Sequence, residues 1–385
     1  MSWRPRSRRL AILGLFALLV LISIEGAAQV RKRLDPEKPR PDVADLRYGP
    51  FARNALDLWK APHRPGHSGP APVVVFFHGG GFVGGDKKSV PAWLVDRCLA
   101  EGISVASASY RLSTEAPFPA PMLDGARAIQ FLRLKAVDLG IDPGRIAACG
   151  NSAGAGIALW VGFHDDLADP RNDDPVLRQS SRLACMGVVG AQTSYDPRFI
   201  KQLIGGRAHE HVALKPLFGV TSPAASDTPR IHRLYEEASP LNHVSSDDPP
   251  VLLFYSEPNA PLSPTARPGE GIHHPRFGAA LKAMLDPLGV ECILRHNDDY
   301  RGQEHPEQAM YHDLVGFFAK HLLQAKRCVV EDSKHLPDES LHRVVLARSR
   351  QAMAIGAERH GMNLAAVTDR SISLDRRPGG VRPSY

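Results

Sequence analysis

The fold is decided by residues 146–163, which read IAACGNSAGAGIALWVGF. The first four residues form a short apolar run before a glycine, which indicates a buried strand, and the apolar residues from Ala153 onward indicate a helix. Between them lies GNSAG, residues 150–154, a Gly-x-Ser-x-Gly sequence in the strand–turn–helix context that this motif requires. The turn exposes the Ser152 hydroxyl at the strand end, where the helix N-terminus favours developing negative charge. The pattern therefore predicts that Ser152 is a nucleophile.

A second glycine-rich sequence follows an earlier apolar run. Residues 73–77, VVVFF, indicate a buried strand, and residues 78–82, HGGGF, come directly after it. Three consecutive glycines leave backbone N–H groups unshielded, and such donors stabilise the oxyanion of a tetrahedral intermediate. A phosphate-binding loop is the rival interpretation, but the sequence lacks Gly-x-x-x-x-Gly-Lys-[Ser/Thr]. The motif therefore favours an oxyanion-binding loop.

Strand and helix patterns alternate along residues 71–325. Strands are predicted at residues 73–77, 103–109, 146–149, 183–189, 251–255 and 291–294, and helices at residues 121–138, 153–163, 275–288 and 306–323. This alternation predicts an α/β fold with a doubly wound, mostly parallel sheet. Residues 190–248 interrupt the alternation and are predicted to form a cap over the carboxyl edge of the sheet. Residues 29–70 are expected to be a linker with edge structure.

Four sequence blocks together resemble the esterases related to hormone-sensitive lipase. Besides the two glycine motifs, residues 110–120, YRLSTEAPFPA, and residues 142–146, DPGRI, match that family in sequence and spacing. The resemblance implies an α/β-hydrolase fold that cleaves carboxylic esters with neither a metal nor a cofactor. It also implies that the backbone N–H groups of Gly80, Gly81 and Ala153 bind the oxyanion. Related secreted enzymes deacetylate carbohydrates, which suggests short-chain or carbohydrate-linked acyl esters as substrates.

The serine requires a general base, and His305 is the predicted one. In this fold the acid and then the histidine follow the serine along the chain. His305 lies after the strand predicted at residues 291–294, in a polar loop just before the last helix. His296 is the nearest rival, although it is close to the strand end. His273 and His274, at the start of a helix, are expected to line the pocket or the surface.

The acid departs from the family pattern, which places an aspartate where this chain has Asn259. An amide accepts a hydrogen bond from an imidazole but does not offset the charge of an imidazolium. Three interpretations stay open. Glu257, on the same loop with a longer side chain, replaces the aspartate and is the preferred acid. Alternatively Asp298 or Asp299 reaches the ring of His305, or the triad is degraded and the protein is slow or inactive.

The two ends of the chain carry its positive charge. The chain has a formal net charge of +6, of which residues 1–33 contribute +6 and residues 326–385 contribute +4, so the middle is mildly acidic. A basic groove for nucleic acid is therefore not expected. Arginines, the apolar residues 10–24 and small residues up to Ala28 form the pattern of a cleaved signal peptide spanning residues 1–28. The sequence predicts export to the periplasm or outside the cell. A membrane tether through residues 10–24 is the alternative, and residues 326–385 are expected to be a partly disordered tail.

Three functions stay open from the sequence alone. A serine esterase acting on a small-molecule or carbohydrate ester is favoured by Ser152 and the glycine loop. A pseudoenzyme or binding protein on a hydrolase fold is favoured by Asn259, since a fold does not fix a function. A serine peptidase of the same fold ranks third. Five widely spaced cysteines contain no Cys-x-x-Cys pair, so no metal or redox motif is predicted, and the oligomeric state is left open.

Overall fold

The structure is a computed structural model that describes residues 38–62, 69–304 and 306–323. The predicted signal peptide at residues 1–28, the predicted base His305 and the predicted tail at residues 326–385 lie outside these ranges. None of the helices within these ranges combines the length and the apolar character needed to span a bilayer.

The described residues form one mostly parallel sheet of eight strands. The strands are β1 Val43–Arg47, β2 Ala55–Trp59, β3 Ala71–Phe77, β4 Ser104–Ala108, β5 Ile141–Asn151, β6 Met186–Val189, β7 Val251–Tyr255 and β8 Cys292–His296. Their order across the sheet is β1-β2-β4-β3-β5-β6-β7-β8. The pairs β1–β2 and β2–β4 are antiparallel and the other five pairs are parallel. The predicted fold class is confirmed, and residues 29–70 contribute β1 and β2, the two strands at one side of the sheet.

Helices cover both faces of this sheet. They are α1 Ala92–Ala100, α2 Ala120–Leu134, α3 Ala136–Leu139, α4 Ala153–Phe163, α5 Pro197–Ile204, α6 Leu214–Leu217, α7 Pro223–Ser226, α8 Pro229–Ala238, α9 Arg276–Leu285 and α10 Pro306–Leu323. Side chains alternate along a strand, so β3 contributes to two separate cores. Val73, Val75 and Phe77 pack with residues of α2, α4 and α9, whereas Val74 and Phe76 pack with residues of α1 and α10. The two cores are the interior of a doubly wound fold.

The helix predicted over residues 121–138 is two helices rather than one. The chain leaves helical geometry at Lys135, with φ −94° and ψ 11°, and α3 ends at Gly140 in the left-handed region. Val137 contributed to the apolar spacing, but its side chain is 92% exposed and does not belong to a buried face. The apolar spacing therefore predicts a helix that extends one turn beyond the end of the packed helix α2.

The segment between β6 and β7 contains α5, α6, α7 and α8. Its apolar side chains, among them Ile200, Leu217 and Tyr235, belong to the same core as β3 and α4. This segment covers residues 190–248, which the sequence predicted to be a cap, and we use that name below. The cap is thus packed on the sheet and positioned to shape any pocket at the end of β5.

Candidate active site

Ser152 occupies a strained turn between β5 and α4. Its φ is 51° and its ψ is −119°, a conformation that side-chain-bearing residues rarely adopt. Strain of this kind costs about 1–3 kcal/mol and persists only where the surrounding structure enforces it. A Cβ atom at Gly154 would lie 1.9 Å from the Phe77 carbonyl oxygen, and one at Gly150 would lie 2.5 Å from the carbonyl carbon of Gly154. Both glycines of the motif are therefore required by close backbone packing.

The glycine loop that follows β3 is tied to this turn. The Gly79 N–H donates to the Asn151 side-chain oxygen at 3.0 Å. Gly80 has φ 117°, and a Cβ atom there would lie 2.4 Å from the Gly84 carbonyl oxygen. Among the described residues, the N–H groups of Gly80 and Gly81 find no acceptor, and Ala153, as the first residue of α4, has no acceptor within its helix. These three predicted oxyanion donors are thus available to a ligand.

His78 fixes the glycine loop from behind. Its ring is buried, stacks on Tyr110 with centroids 4.2 Å apart, and donates from Nδ1 to the Gly79 carbonyl oxygen at 2.8 Å. The Tyr110 hydroxyl donates to the His78 carbonyl oxygen at 2.7 Å. Burial lowers the pKa of His78 to about 4, so the ring is neutral near pH 7. His78 therefore acts as a packing and hydrogen-bonding support.

The side chain that contacts the nucleophile is His273. Its Nε2 lies 2.9 Å from Ser152 Oγ. Its Nδ1 lies 3.5 Å from Glu257 Oε1, and the same oxygen accepts a hydrogen bond from the His273 backbone N–H at 3.1 Å. Ser152, His273 and Glu257 therefore form a line of nucleophile, imidazole and carboxylate. Along the chain they follow the order serine, acid, histidine.

The sequence interpretation missed this contact. It placed His273 among pocket or surface residues and assigned the base to His305, which lies outside the described residues and stays a prediction. The His273 ring fits beside Gly190, where φ is 60° and a Cβ atom would lie 3.1 Å from His273 Cδ2. Chain order was the one available signal, because His273 also follows Glu257 and the strand β7. That signal did not separate it from His305.

The candidate acids occupy different environments. Glu257 contacts the imidazole of His273. Asn259 is exposed in the same loop. Asp299 accepts a hydrogen bond from the His296 backbone N–H at 2.8 Å, and Asp298 forms an ion pair with Arg301 at 2.7 Å. Both aspartates thus have partners in the turn after β8.

His296, the other rival base, supports the acid loop instead of the nucleophile. Its Nε2 donates to the Glu257 carbonyl oxygen at 2.8 Å, and its Nδ1 accepts from the Asp298 N–H at 3.2 Å. Both ring nitrogens are therefore occupied. This arrangement holds the backbone of Glu257 while leaving its carboxylate directed to His273.

A small apolar cavity of about 40 Å³ adjoins Ser152. One water molecule needs about 10–15 Å³ on this measure, so the space corresponds to about three waters. The cap supplies Ile200, His211, Leu214 and Leu217 to its wall. Tyr195 also lines the cavity, and its buried hydroxyl has no hydrogen-bond partner among the described residues. The cavity has room for a short acyl group.

The described cysteines take no part in the site. Cys98, Cys149, Cys185 and Cys292 are buried and free. Burial raises the pKa of each thiol, that of Cys292 to about 12, so these side chains are protonated. They behave as small apolar core residues.

Comparison with known proteins identifies the family of this chain. The BD-FAE family model matches residues 56–264, more than half of the chain. Esterase LipQ of Mycobacterium tuberculosis is 30% identical over 229 residues, which cover 58% of this chain and 50% of LipQ. The chain thus spans about half the length of this curated relative.

Solved structures show the same fold. An acetyl ester-xyloside bifunctional hydrolase from Caldicellulosiruptor lactoaceticus is 25% identical, with a TM-score of 0.51, and the match covers 73% of this chain and 98% of that one. A truncated carbohydrate esterase from gut microbiota has a TM-score of 0.56 at 18% identity, covering 75% of this chain and 99% of that one. The second likeness concerns the fold alone.

Proposed function

We propose that this protein, which belongs to the BD-FAE family of α/β-hydrolases, is a serine esterase that cleaves short acyl esters. The observation that carries the proposal is the 2.9 Å contact between Ser152 Oγ and His273 Nε2. This contact lies at the N-terminus of α4, beside the N–H groups of Gly80, Gly81 and Ala153. A nucleophile, a base and oxyanion donors are the parts that acyl transfer requires.

The geometry supports a two-step reaction. Ser152 Oγ attacks the ester carbonyl carbon while His273 Nε2 accepts the hydroxyl proton. The carbonyl oxygen becomes an oxyanion next to the backbone N–H groups of Gly80, Gly81 and Ala153. One such donor is worth about 3–4 kcal/mol in the transition state. The imidazolium then protonates the departing alcohol. In the second step His273 takes a proton from water, whose oxygen attacks the acyl carbon, and the imidazolium returns that proton to Ser152 Oγ as the acyl–oxygen bond breaks and the carboxylic acid leaves.

Glu257 positions the imidazole. Its Oε1 holds the His273 backbone N–H at 3.1 Å and lies 3.5 Å from Nδ1. Hydrogen bonds of this kind are often long in a ligand-free site and shorten when substrate binds. The carboxylate then accepts from Nδ1–H and offsets the positive charge that develops on the ring.

The cavity beside Ser152 limits the acyl group. A volume of about 40 Å³ accommodates an acetyl or propionyl group better than a longer chain. The name of one similar protein, an acetyl ester-xyloside bifunctional hydrolase, agrees with small acyl groups carried on a small-molecule or carbohydrate alcohol.

The experiment is a chain-length series with a nucleophile control. We expect the full chain to hydrolyse p-nitrophenyl acetate faster than the butyrate, and the butyrate faster than the octanoate. Ser152→Ala should lose the activity and also the labelling by a fluorophosphonate probe. A Ser152→Ala variant that is as active as the parent would overturn the proposal.

A binding protein on the same fold is the second candidate. The observation that favours it is the exposed Asn259 at the position where the family resemblance implies an acid. A folded protein that neither hydrolyses the esters nor reacts with the probe would support this candidate.

Export is a separate part of the proposal. It is supported by the arginine-rich start, the apolar residues 10–24 and the small residues before position 29. Expression in a bacterial host followed by N-terminal sequencing of the secreted or periplasmic protein should show a mature chain beginning after Ala28. A membrane-bound protein with an intact N-terminus would favour the anchor instead.

A further inference from the structure

Two histidines and a glutamate meet where α4 ends, one helix length away from Ser152. His164 is the residue that follows α4, Glu237 lies in α8, and His243 follows the 3-10 turn Pro240–Asn242. One ring nitrogen of each histidine and one carboxylate oxygen of the glutamate lie within 4.8 Å of one another. The closest contact is 3.2 Å, between His164 Nε2 and Glu237 Oε1. The proposed reaction uses none of these residues.

Backbone carbonyls define which nitrogen of each ring is protonated. His164 Nδ1 lies 3.1 Å from the Asp165 carbonyl oxygen, and His243 Nε2 lies 2.7 Å from the Glu237 carbonyl oxygen. Because a carbonyl oxygen only accepts, the ring nitrogen facing it carries the hydrogen. In a neutral ring the other nitrogen, Nε2 of His164 and Nδ1 of His243, then keeps its lone pair. Metal-ligating histidines are oriented by the same kind of bond from their second nitrogen.

The charges at this cluster attract a cation. Glu237 contributes a carboxylate, an anionic group of the kind that divalent cations bind in proteins. The His164 and His243 rings lie with centroids 4.8 Å apart, so two protons on this pair would repel each other. A single divalent ion shared by both rings and the carboxylate avoids that repulsion.

We propose that His164, Glu237 and His243 bind one zinc ion, with water completing the coordination. Two imidazoles and a carboxylate form a ligand set that zinc accepts in proteins. Zinc lies about 2.0–2.2 Å from such ligands in a tetrahedral arrangement, so donor atoms on one ion are about 3.3–3.6 Å apart. The ligand atoms, which lie within 4.8 Å of one another, therefore move closer together on binding. The Glu237 side chain, which is 50% exposed, has the freedom to make that adjustment.

The ion would join the cap to the helix that begins at the nucleophile. Glu237 and His243 belong to the cap, whereas His164 directly follows α4, and Ser152 directly precedes that helix. Trp160 of α4 already donates from its indole nitrogen to the Glu237 carbonyl oxygen at 2.9 Å. Zinc would strengthen this junction and raise the thermal stability of the folded protein, because a ligand that binds only the native state stabilises it.

The test is zinc and cobalt titration of the tag-free full chain. We expect calorimetry to show one zinc equivalent bound, and Co²⁺ to give visible d–d absorption bands of nitrogen and oxygen ligation. His164→Gln and His243→Gln should each weaken zinc binding by at least about tenfold and remove the zinc-dependent rise in melting temperature. His232→Gln is the matched control, because His232 lies on α8 and pairs only with Asp227 among the described acidic groups, at 3.0 Å.

Each result decides the proposal. Unchanged zinc stoichiometry and affinity in both cluster variants would overturn it, as would an equal loss in His232→Gln. Glu237→Gln gives an independent check, because it removes the charge at an exposed side chain and should weaken Co²⁺ binding without unfolding the protein. Cobalt spectra that stay the same in that variant would also overturn the assignment. Ester hydrolysis is measured separately, so the site stands or falls independently of the proposed function.

Discussion

The two halves of the candidate active site are held in different ways. The nucleophile half, from β3 to α4, is fixed by backbone packing at Gly150 and Gly154 and by the bond from Gly79 to Asn151. The imidazole half lies on the loop after β7, where the side chains of His273 and Glu257 are 31% and 25% exposed. The first half tolerates almost no change in backbone shape. The second half requires an imidazole within reach of Ser152 Oγ, and several histidines follow β7 along the chain.

The largest expected effect concerns which imidazole is the base. His273→Ala should lower the rate of p-nitrophenyl acetate hydrolysis by at least about 10³-fold, because Ser152 loses its proton acceptor. His305→Ala serves as the comparison and should change the rate by less than about tenfold. The opposite ranking of the two variants would restore the sequence prediction and show that the contact at 2.9 Å is not the reactive one.

The next effect tests the rigidity of the nucleophile half. Gly154→Ala should destabilise the protein by about 3 kcal/mol or more, since the added Cβ would meet the Phe77 carbonyl oxygen at 1.9 Å. The matched control is Gly84→Ala, because a Cβ atom there meets no atom within 4 Å. Urea unfolding of both variants measures the difference. Equal stability of the two would mean that the glycine motif is not fixed by packing.

Lowering the pH from 7 to 5 should reduce the stability of the folded protein through His78, which belongs to the nucleophile half. The pKa of His78 is about 4 in the folded protein against 6.5 when exposed, so the unfolded chain binds the extra proton between these values. Stability conferred by a neutral His78 is present above pH 6.5 and is lost as the pH falls toward 4. The free energy of unfolding should therefore fall by about 2 kcal/mol between pH 7 and pH 5. Urea unfolding at the two pH values should show the loss, and His78→Gln should show a smaller pH dependence than the parent.

A smaller effect should follow from changes at the acid. Glu257→Gln should lower the rate about tenfold, because the carboxylate is partly solvated and solvent screens part of its charge. The sharper comparison is Asn259→Asp, which restores the residue implied by the family resemblance. We expect it to leave the rate nearly unchanged, since residue 259 is exposed. A large gain in rate would identify residue 259 as the acid position and would favour His305 as its partner.

The smallest effect lies in the cavity wall. Tyr195→Phe removes a buried hydroxyl that lacks a partner among the described residues. The variant should be as stable as the parent or more stable by up to about 1 kcal/mol, because no hydrogen bond is lost. Melting temperatures of the two proteins measure this. A clear loss of stability would show that the hydroxyl has a partner in solution.

The same contrast explains what the sequence could and could not predict. Residues 251–255 and residues 306–323 were assigned to a strand and a helix with the bounds that the structure has. Ser152 was found because its turn demands glycines at fixed positions, which leave a readable motif. No local sequence motif marks His273, because the residues next to it in the chain need not be of any particular type. Its position beside Ser152 depends on how the cap and the loop after β7 fold together. The short cap helices α6 and α7 were not predicted individually, since helices of this length are stabilised by tertiary packing rather than by local propensity.

The position of the cap between β6 and β7 has a consequence for how such proteins diversify. These two strands are adjacent and parallel, with Val251 paired to Met186 and Phe254 paired to Val189, so the chain leaves the sheet at its carboxyl edge and crosses back to the amino edge before β7 begins. The segment between them can change in length without altering the pairing of the two strands, because their register is set by β6 and β7 themselves. It can be lengthened, shortened or grafted from another hydrolase while the joints stay in register. Changes in this segment can thereby alter the cavity while the proposed nucleophile Ser152, which lies between β5 and α4, stays in place.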